Sequence, residues 1–312
     1  MNRITFTVVI PAYNAARTIG SAIRSVLVQT RQDFEVIVVD DGSTDGTSDR
    51  AGAYESDPRI RVIRQPNRGP SAARNVGIAE ARGSYVSMLD ADDLWLPEYL
   101  EVMGAALEDT PGAGLAYTDA WVLDDVTGRI RRRSAMSYQR PPKVVPDPHS
   151  FFRLLLERNF IYTSVTAPRS VLERVGGYDE SLGTSEDWEL WLRIVATGTA
   201  AVRPPGKLAI HRKHSASLTS DPRKIARSTC EIYRRFAHDS NAHAEVRALA
   251  ERQLGQWTKT LGDLEDPTLQ AYLRRHAGAI KRRALRRWIW RRPPVAVERT
   301  LRAVEDGALA AA

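Results

Sequence analysis

Residues 5–89 alternate short β-branched runs with stretches of helical periodicity, and this alternation restricts the fold more than any other feature. Thr5–Ile10 is a β-branched run that Pro11 is expected to end. Arg17–Val28 places Ile19, Ala22, Ile23, Val26 and Leu27 at helical spacing. Phe34–Val39 is almost continuously apolar, as in a strand covered on both faces of a parallel sheet. The polar turn DDGSTDGT (40–47), a short helix to about Ser56, a strand at Ile60–Arg64, a helix at Ser71–Ala81 and a strand at Tyr85–Leu89 follow. A βαβαβαβ order predicts an α/β layer around a mostly parallel sheet, with its ligand site at the carboxyl ends of the strands.

The pattern changes at Pro97. A helix at Glu98–Glu108 leads to a strand near Leu115–Thr118 and a hairpin around 124–129. A Pro-rich basic loop spans 131–148, followed by a helix at 149–158, a strand at Tyr162–Ala167 and an amphipathic helix at Trp188–Ala196. Residues 221–312 read as helical throughout. Two regions are therefore expected, an α/β domain over 1–220 and a basic helical region over 221–312. Charge divides the same way: residues 1–220 hold 26 Lys+Arg against 27 Asp+Glu, residues 221–312 hold 19 against 11.

With 43% apolar residues the chain can bury a core, which excludes disorder as its main state. Cys230 is the sole cysteine, so a disulfide scaffold and a multi-cysteine zinc site are excluded, and a reducing compartment, the cytoplasm, is expected. The run FEVIVV is far short of a membrane span, and the apolar stretch in MNRITFTVVIPAYN is too short for a signal peptide.

Three acidic clusters fall where strands end or a helix begins: Asp40-Asp41, Asp90-Ala91-Asp92-Asp93 and Glu186-Asp187. Aspartate is common in turns and at helix N-termini, where it caps free N–H groups. Two of these clusters converge on one sheet edge, however, and packed like charges are costly without a cation or a ligand among them. Carboxylates one residue apart can offer oxygens to one hard cation, Mg2+ or Mn2+, which also binds substrate phosphates. An EF-hand at 41–52 is excluded because its twelfth position is Gly52. No glycine-rich phosphate loop follows the first strand.

The segments VVIPAYN (8–14), VVDDGSTDGT (38–47), GPSAARNVGIAEARGSYVSMLDADD (69–93), WLP (95–97), GGYDE (176–180), EDWELWLR (186–193) and HRKHSAS (211–217) occur in this order. Over about residues 5–215 the chain thus resembles the family 2 glycosyltransferases of the GT-A fold. The resemblance implies that Pro11, Ala12, Tyr13 and Asn14 line the nucleotide base, and that Asp41 accepts its imide N–H. It implies base or diphosphate contacts for Arg68 and Arg74. Within Asp90-Ala91-Asp92 it places the metal on Asp92 and the ribose or a metal-bound water on Asp90. Asp187 is implied as general base and Glu186 as shaping the acceptor site. Arg212, His214 and Ser217 match a segment whose histidine, here His214, joins the metal or the diphosphate. A position at the start of a helix is expected to favour the ionised form of Asp187.

The implied activity is inverting, metal-dependent transfer of one sugar from a nucleoside-diphosphate sugar, with UDP favoured over dTDP and GDP. The acceptor is open, a lipid-linked or peptide hydroxyl among the choices. A sugar-nucleotide pyrophosphorylase would show a basic Gly-rich loop where PAYNAARTIG stands, and a silent binding module has no need of Asp187. The synthase signature QxxRW is absent, since QLGQW (253–257) lacks its arginine. Arg274–Arg292 reads as a basic amphipathic helix, either packed on the catalytic domain or lying on an anionic membrane surface. Nucleic-acid binding is not expected, because no recognised module accompanies the basic residues.

Overall fold

Strands β1 (Phe6–Ala12) and β2 (Phe34–Asp40) pair in parallel along their whole length, from Phe6 opposite Phe34 to Ala12 opposite Asp40. The computed structural model describes residues 4–131, 133–138, 147–162, 164–213 and 221–267. β3 (Ile60–Arg64) joins β2 and β4 (Tyr85–Met88) joins β1, both in parallel. Helices α1 (Ile19–Leu27), α2 (Thr47–Gly52) and α3 (Pro70–Ala79) link these four strands. The order β3-β2-β1-β4 puts the reversal of winding between β1 and β4, where an open α/β sheet has its ligand crevice.

Both faces of the sheet are covered, which explains the apolar run of β2. Val36 and Val38 pack with Ile19, Ile23 and Val26 of α1, while Ile37 and Val39 pack against Ala73 of α3. α3 lies so close to β1 that a Cβ on Gly77 would fall 2.3 Å from Val9 Cγ1. Pro11 does not end β1, contrary to expectation. Val9 O accepts from Leu89 N and Ala12 O accepts from Asp41 N, so Pro11 faces the β4 side, beyond the last pair Val9–Met88. No ladder bond is asked of its missing N–H there.

β9 (Val165–Pro168) runs antiparallel to β4 and to β6 (Ala113–Tyr117), and β10 (Ala200–Val202) completes a seven-stranded sheet. A second sheet was not expected. Its order is β5 (Leu94–Trp95), β11 (Lys207–Lys213), β7 (Asp119–Asp124), β8 (Arg129–Ile130), and β7–β8 is the hairpin foreseen around 124–129. β11 pairs with segments near residues 95 and 120, so its strand character comes from distant partners and not from its own KLAIHRK pattern.

The remaining helices are α4 (Tyr99–Glu108), α5 (Pro148–Glu157), α6 (Arg169–Val175), α7 (Glu186–Ala196), α8 (Pro222–His238) and α9 (Ala244–Glu265). Ile232, Tyr233, Val246, Leu249 and Ala250 of α8 and α9 share one hydrophobic cluster with Leu155 of α5 and Trp188 and Trp191 of α7. The Tyr233 hydroxyl donates to Leu156 O at 2.9 Å, and its ring meets the Trp188 ring edge-on. The described part of the C-terminal region is therefore helical and contributes to the core of the α/β unit. Arg274–Arg292 and His214 lie outside the described residues, as do 132 and 139–146 of the basic loop.

Candidate active site

The loops after β1, β2, β3 and β4 meet at the crevice beside β1. The turn after β1 is held by the side chains of the turn after β2. Asn14, at φ 48°, donates its N–H to Ser43 Oγ (2.9 Å), and its Oδ1 accepts from Thr44 N (2.9 Å). Ala15 N donates to Thr47 Oγ1 and Ala16 N to Asp45 Oδ2. Asparagine tolerates this left-handed backbone better than other side chains, and the polar turn satisfies the N–H groups it turns outward. Tyr13 is left 54% exposed at the crevice edge, an unusual state for a large ring among the described residues.

Asp41 is buried, and its carboxylate accepts from Gln65 Nε2 (2.7 Å), Arg68 N (2.9 Å) and Gly69 N (2.8 Å). It thus ties the loop before α3 onto the strand ends. The Arg68 side chain reaches away to Glu180 Oε2 at 2.9 Å.

After β4 the chain turns through Asp90, Ala91, Asp92 and Asp93, with Asp93 N donating to Asp90 O. One carboxylate oxygen from each of Asp90, Asp92 and Asp93 lies within 4.8 Å of the others, which makes a hard-oxygen donor set for a divalent cation. The three are not equivalent. Asp93 is buried, and its oxygens accept from Arg212 N (2.8 Å) and His211 Nδ1 (3.1 Å) of β11. Asp93 therefore fastens the second sheet beneath the cluster. Asp93 holds the His211 imidazolium up at about 9 against the opposing effect of burial. Arg212 also donates to Asp92 O and to Asp125 Oδ1, and Asp125 in turn pairs with Arg17.

Glu186 and Asp187 open α7 across the same crevice, after Ser185 at φ 60°. Arg74 stands between the two carboxylate groups, with Nη2 to Asp90 Oδ1 at 2.8 Å and Nη1 to Glu186 Oε1 at 2.6 Å. Burial and then the Glu186 charge push the Asp187 carboxyl up to about 7, with Arg74 opposing. The expectation that the helix start would favour its ionised form is thus overturned: loss of water and a like charge next door outweigh the dipole. A carboxyl held near neutrality inside a crevice is suited to accept a proton.

Residues 7–173 match the profile of Glycosyl transferase family 2. This chain belongs to that family. Succinoglycan biosynthesis protein ExoU of Rhizobium meliloti is 31% identical over 255 residues, covering 77% of this chain and 72% of that protein. ExoO of the same organism is 36% identical over 210 residues, covering 66% and 60%. Against two uncharacterised glycosyltransferases, of Rickettsia conorii and Rickettsia felis, the match spans under a fifth of their length, 18% and 17%. The fold of this family 2 member is that of Staphylococcus aureus TarS 1–349, with TM-score 0.64 at 20% identity over 85% of this chain and 76% of that one. It is also that of the mannosyltransferase PcManGT of Pyrobaculum calidifontis, solved with GDP-Man and Mn2+, with TM-score 0.61 at 22% identity over 89% and 76%. The mixed α/β architecture with a parallel-dominated sheet is thus the GT-A fold.

In this family 2 member Pro11, Ala12, Tyr13, Asn14 and Asp41 stand at the adjoining ends of β1 and β2, and Arg74 joins Asp90, which precedes Ala91 and Asp92, to Glu186, which precedes Asp187. Arg74 lies beneath the crevice, 5% exposed, and the Arg68 side chain turns to its rim. Reading the residues in order assigned no role to Asp93 or His211. Both stood in quoted segments, ADD and HRKHSAS, but only the pairing of β11 beside β5 brings them together.

Proposed function

We propose that this protein is an inverting, metal-dependent glycosyltransferase that moves one sugar from a nucleoside-diphosphate sugar, UDP favoured, to an acceptor hydroxyl. The observation that supports the reading is the cluster of Asp90, Asp92 and Asp93 carboxylates after β4, joined through Arg74 to Glu186, which precedes Asp187 at the start of α7. In this reading Asp92, with Asp90, holds Mn2+ or Mg2+. Held there, a cation would supply charge neutralisation to the departing diphosphate. Tyr13 offers a ring face to the base, and Asp41 reads the imide edge from below. Asp187 takes the proton of the acceptor hydroxyl as that oxygen bonds the anomeric carbon and the bond to the diphosphate breaks. One carboxylate on the face opposite the leaving group gives a single displacement with inversion, by the logic that carboxylate placement follows in glycosidases.

TarS has been solved in complex with UDP-GlcNAc and PcManGT with GDP-Man, which supports a nucleotide-sugar donor. The succinoglycan biosynthesis relatives support an acceptor in a cell-surface glycan, glycolipid or similar conjugate. No helix among the described residues is long and apolar enough to cross a membrane. The lone Cys230 fits a reducing compartment, and on that ground we propose a cytoplasmic protein, with peripheral membrane contact through the basic Arg274–Arg292 sequence.

The test is a thermal-shift panel of UDP, dTDP, GDP, CDP and ATP, each with and without Mn2+. A ligand at a hundredfold excess over its Kd adds about 2.7 kcal/mol of apparent stability. A Mn2+-dependent shift with one diphosphate supports the reading and names the carrier. No shift with any of them refutes it.

A further inference from the structure

Arg74 is 5% exposed, yet it carries a full charge into the floor of the crevice. Taking a guanidinium out of water costs several kcal/mol unless its N–H groups are matched. Here the match is divided between two chain segments far apart in sequence: Asp90, just after β4, and Glu186, the first residue of α7. The guanidinium carbon also lies 5.2 Å from the centre of the Tyr178 ring.

The next residue repeats the arrangement on the backbone. Asn75 Nδ2 donates to Tyr178 O (2.9 Å) and to Glu180 Oε1 (3.0 Å), and Asn75 Oδ1 accepts from Tyr178 N (2.7 Å). Gly177 makes room for this amide: its φ is 70°, and a Cβ there would fall 2.6 Å from Asn75 Oδ1. Two consecutive residues of α3 therefore grip Asp90, Glu186 and the 176–180 loop that leads toward α7. A planar guanidinium holds two partners at a fixed mutual angle, whereas an ammonium offers one point of charge.

We propose that Arg74 is a positioning residue that sets Glu186 and Asp187 at a fixed place relative to Asp90 and Asp92, with Asn75 locking the loop between them. This role is offered in place of direct nucleotide contact, because the side chain is 5% exposed and both Nη atoms bond protein carboxylates. The geometry stands by itself; the consequence for turnover rests on the glycosyl-transfer reading above. A catalytic group displaced by about 1 Å can lower a rate about 10²-fold.

The experiment compares Arg74→Lys and Arg74→Met with Arg82→Lys, whose arginine pairs with buried Glu35 away from the crevice. Hydrogen exchange by mass spectrometry is read on peptides covering 176–190 and, as a reference, 34–40. The Arg74 variants are expected to exchange about tenfold faster over 176–190 with no change over 34–40. Arg82→Lys leaves 176–190 as in wild type. In turnover of the nucleotide sugar identified by the panel, Arg74→Lys loses about 10²-fold in kcat while KM for donor stays within about threefold. Unchanged exchange over 176–190 in Arg74→Lys overturns the proposal, and so does a raised donor KM with kcat intact, which marks direct donor contact. If Arg74→Met does not fold, Arg74→Lys decides alone. A wild-type chain without turnover sinks the transfer reading only, since the exchange comparison still decides the role of Arg74.

Discussion

Asp187→Asn is expected to make the protein more stable above pH 7 while stopping transfer. In the folded chain this carboxyl is held up at about 7 by burial and by Glu186, against an ordinary value of 3.8. Between those values the folded state keeps a proton that the unfolded state has released, so stability falls as pH rises through this window. The difference is worth about 4 kcal/mol at most, and the partial exposure of Asp187 screens it to roughly 1–3 kcal/mol. Asparagine carries no charge to desolvate, and its Oδ1 can keep the bond from Trp188 N, now 2.6 Å. Urea and thermal unfolding in EDTA at pH 5 and pH 8 make the measurement. At pH 8 the variant should melt several degrees above wild type, at about 2–4 °C per kcal/mol for a chain of this size. At pH 5 roughly a third of that gap should remain, because the folded carboxyl is then protonated while the unfolded one, with its ordinary value of 3.8, has already ionised. Turnover at pH 8 should drop by about 10²–10⁴, the usual contribution of a general base, with nucleotide binding retained. A stability gap equal at both pH values would refute the account of the carboxyl, and surviving turnover would refute Asp187 as the base.

Three further outcomes are expected. Asp92→Asn should abolish the Mn2+-dependent part of the nucleotide thermal shift while leaving the metal-free melting point within about 2 °C; calorimetry of Mn2+ with UDP gives the same comparison. Gly177→Ala should cost about 1–3 kcal/mol, through its left-handed backbone and the contact with Asn75 Oδ1, and should speed exchange over 176–190 as loss of Arg74 does. Glu35→Gln should cost about 2–4 kcal/mol in urea unfolding with kcat unchanged, because the buried carboxylate holds Thr7 Oγ1, Arg82 N and Arg82 Nε far from the crevice. A loss of activity beyond the loss of folded protein would contradict that last expectation.

The placement of Asp41, Asp90 and Asp187 was legible in the sequence because each depends on short-range pattern. A β-branched run followed by an acidic turn puts carboxylates at a strand end, and an apolar face at helical spacing puts Glu186-Asp187 at a helix start. The pairing of Asp93 with His211 was not legible, since His211 sits on a strand whose pattern is basic and whose partners are distant. Nor was the buried state of Arg74, which reads in sequence as one more arginine near a nucleotide loop. The continuation of β1 through Pro11 was missed because a proline signals an end unless one knows that its neighbour on that side has already stopped.

What the sequence by itself determined is the α/β layer, its strand order along the chain, and which residue types stand at the strand ends. Periodicity and turn chemistry are local, and they survive without any knowledge of neighbours. What only the tertiary structure decided is the electrostatic state of those residues. The Asp187 carboxyl is pushed up to about 7 because it is partly desolvated beside Glu186, and Arg74 is charged and buried because Asp90 and Glu186 both reach it. Desolvation and through-space charge depend on what the fold places within a few ångströms, and neither is written in the spacing of one segment.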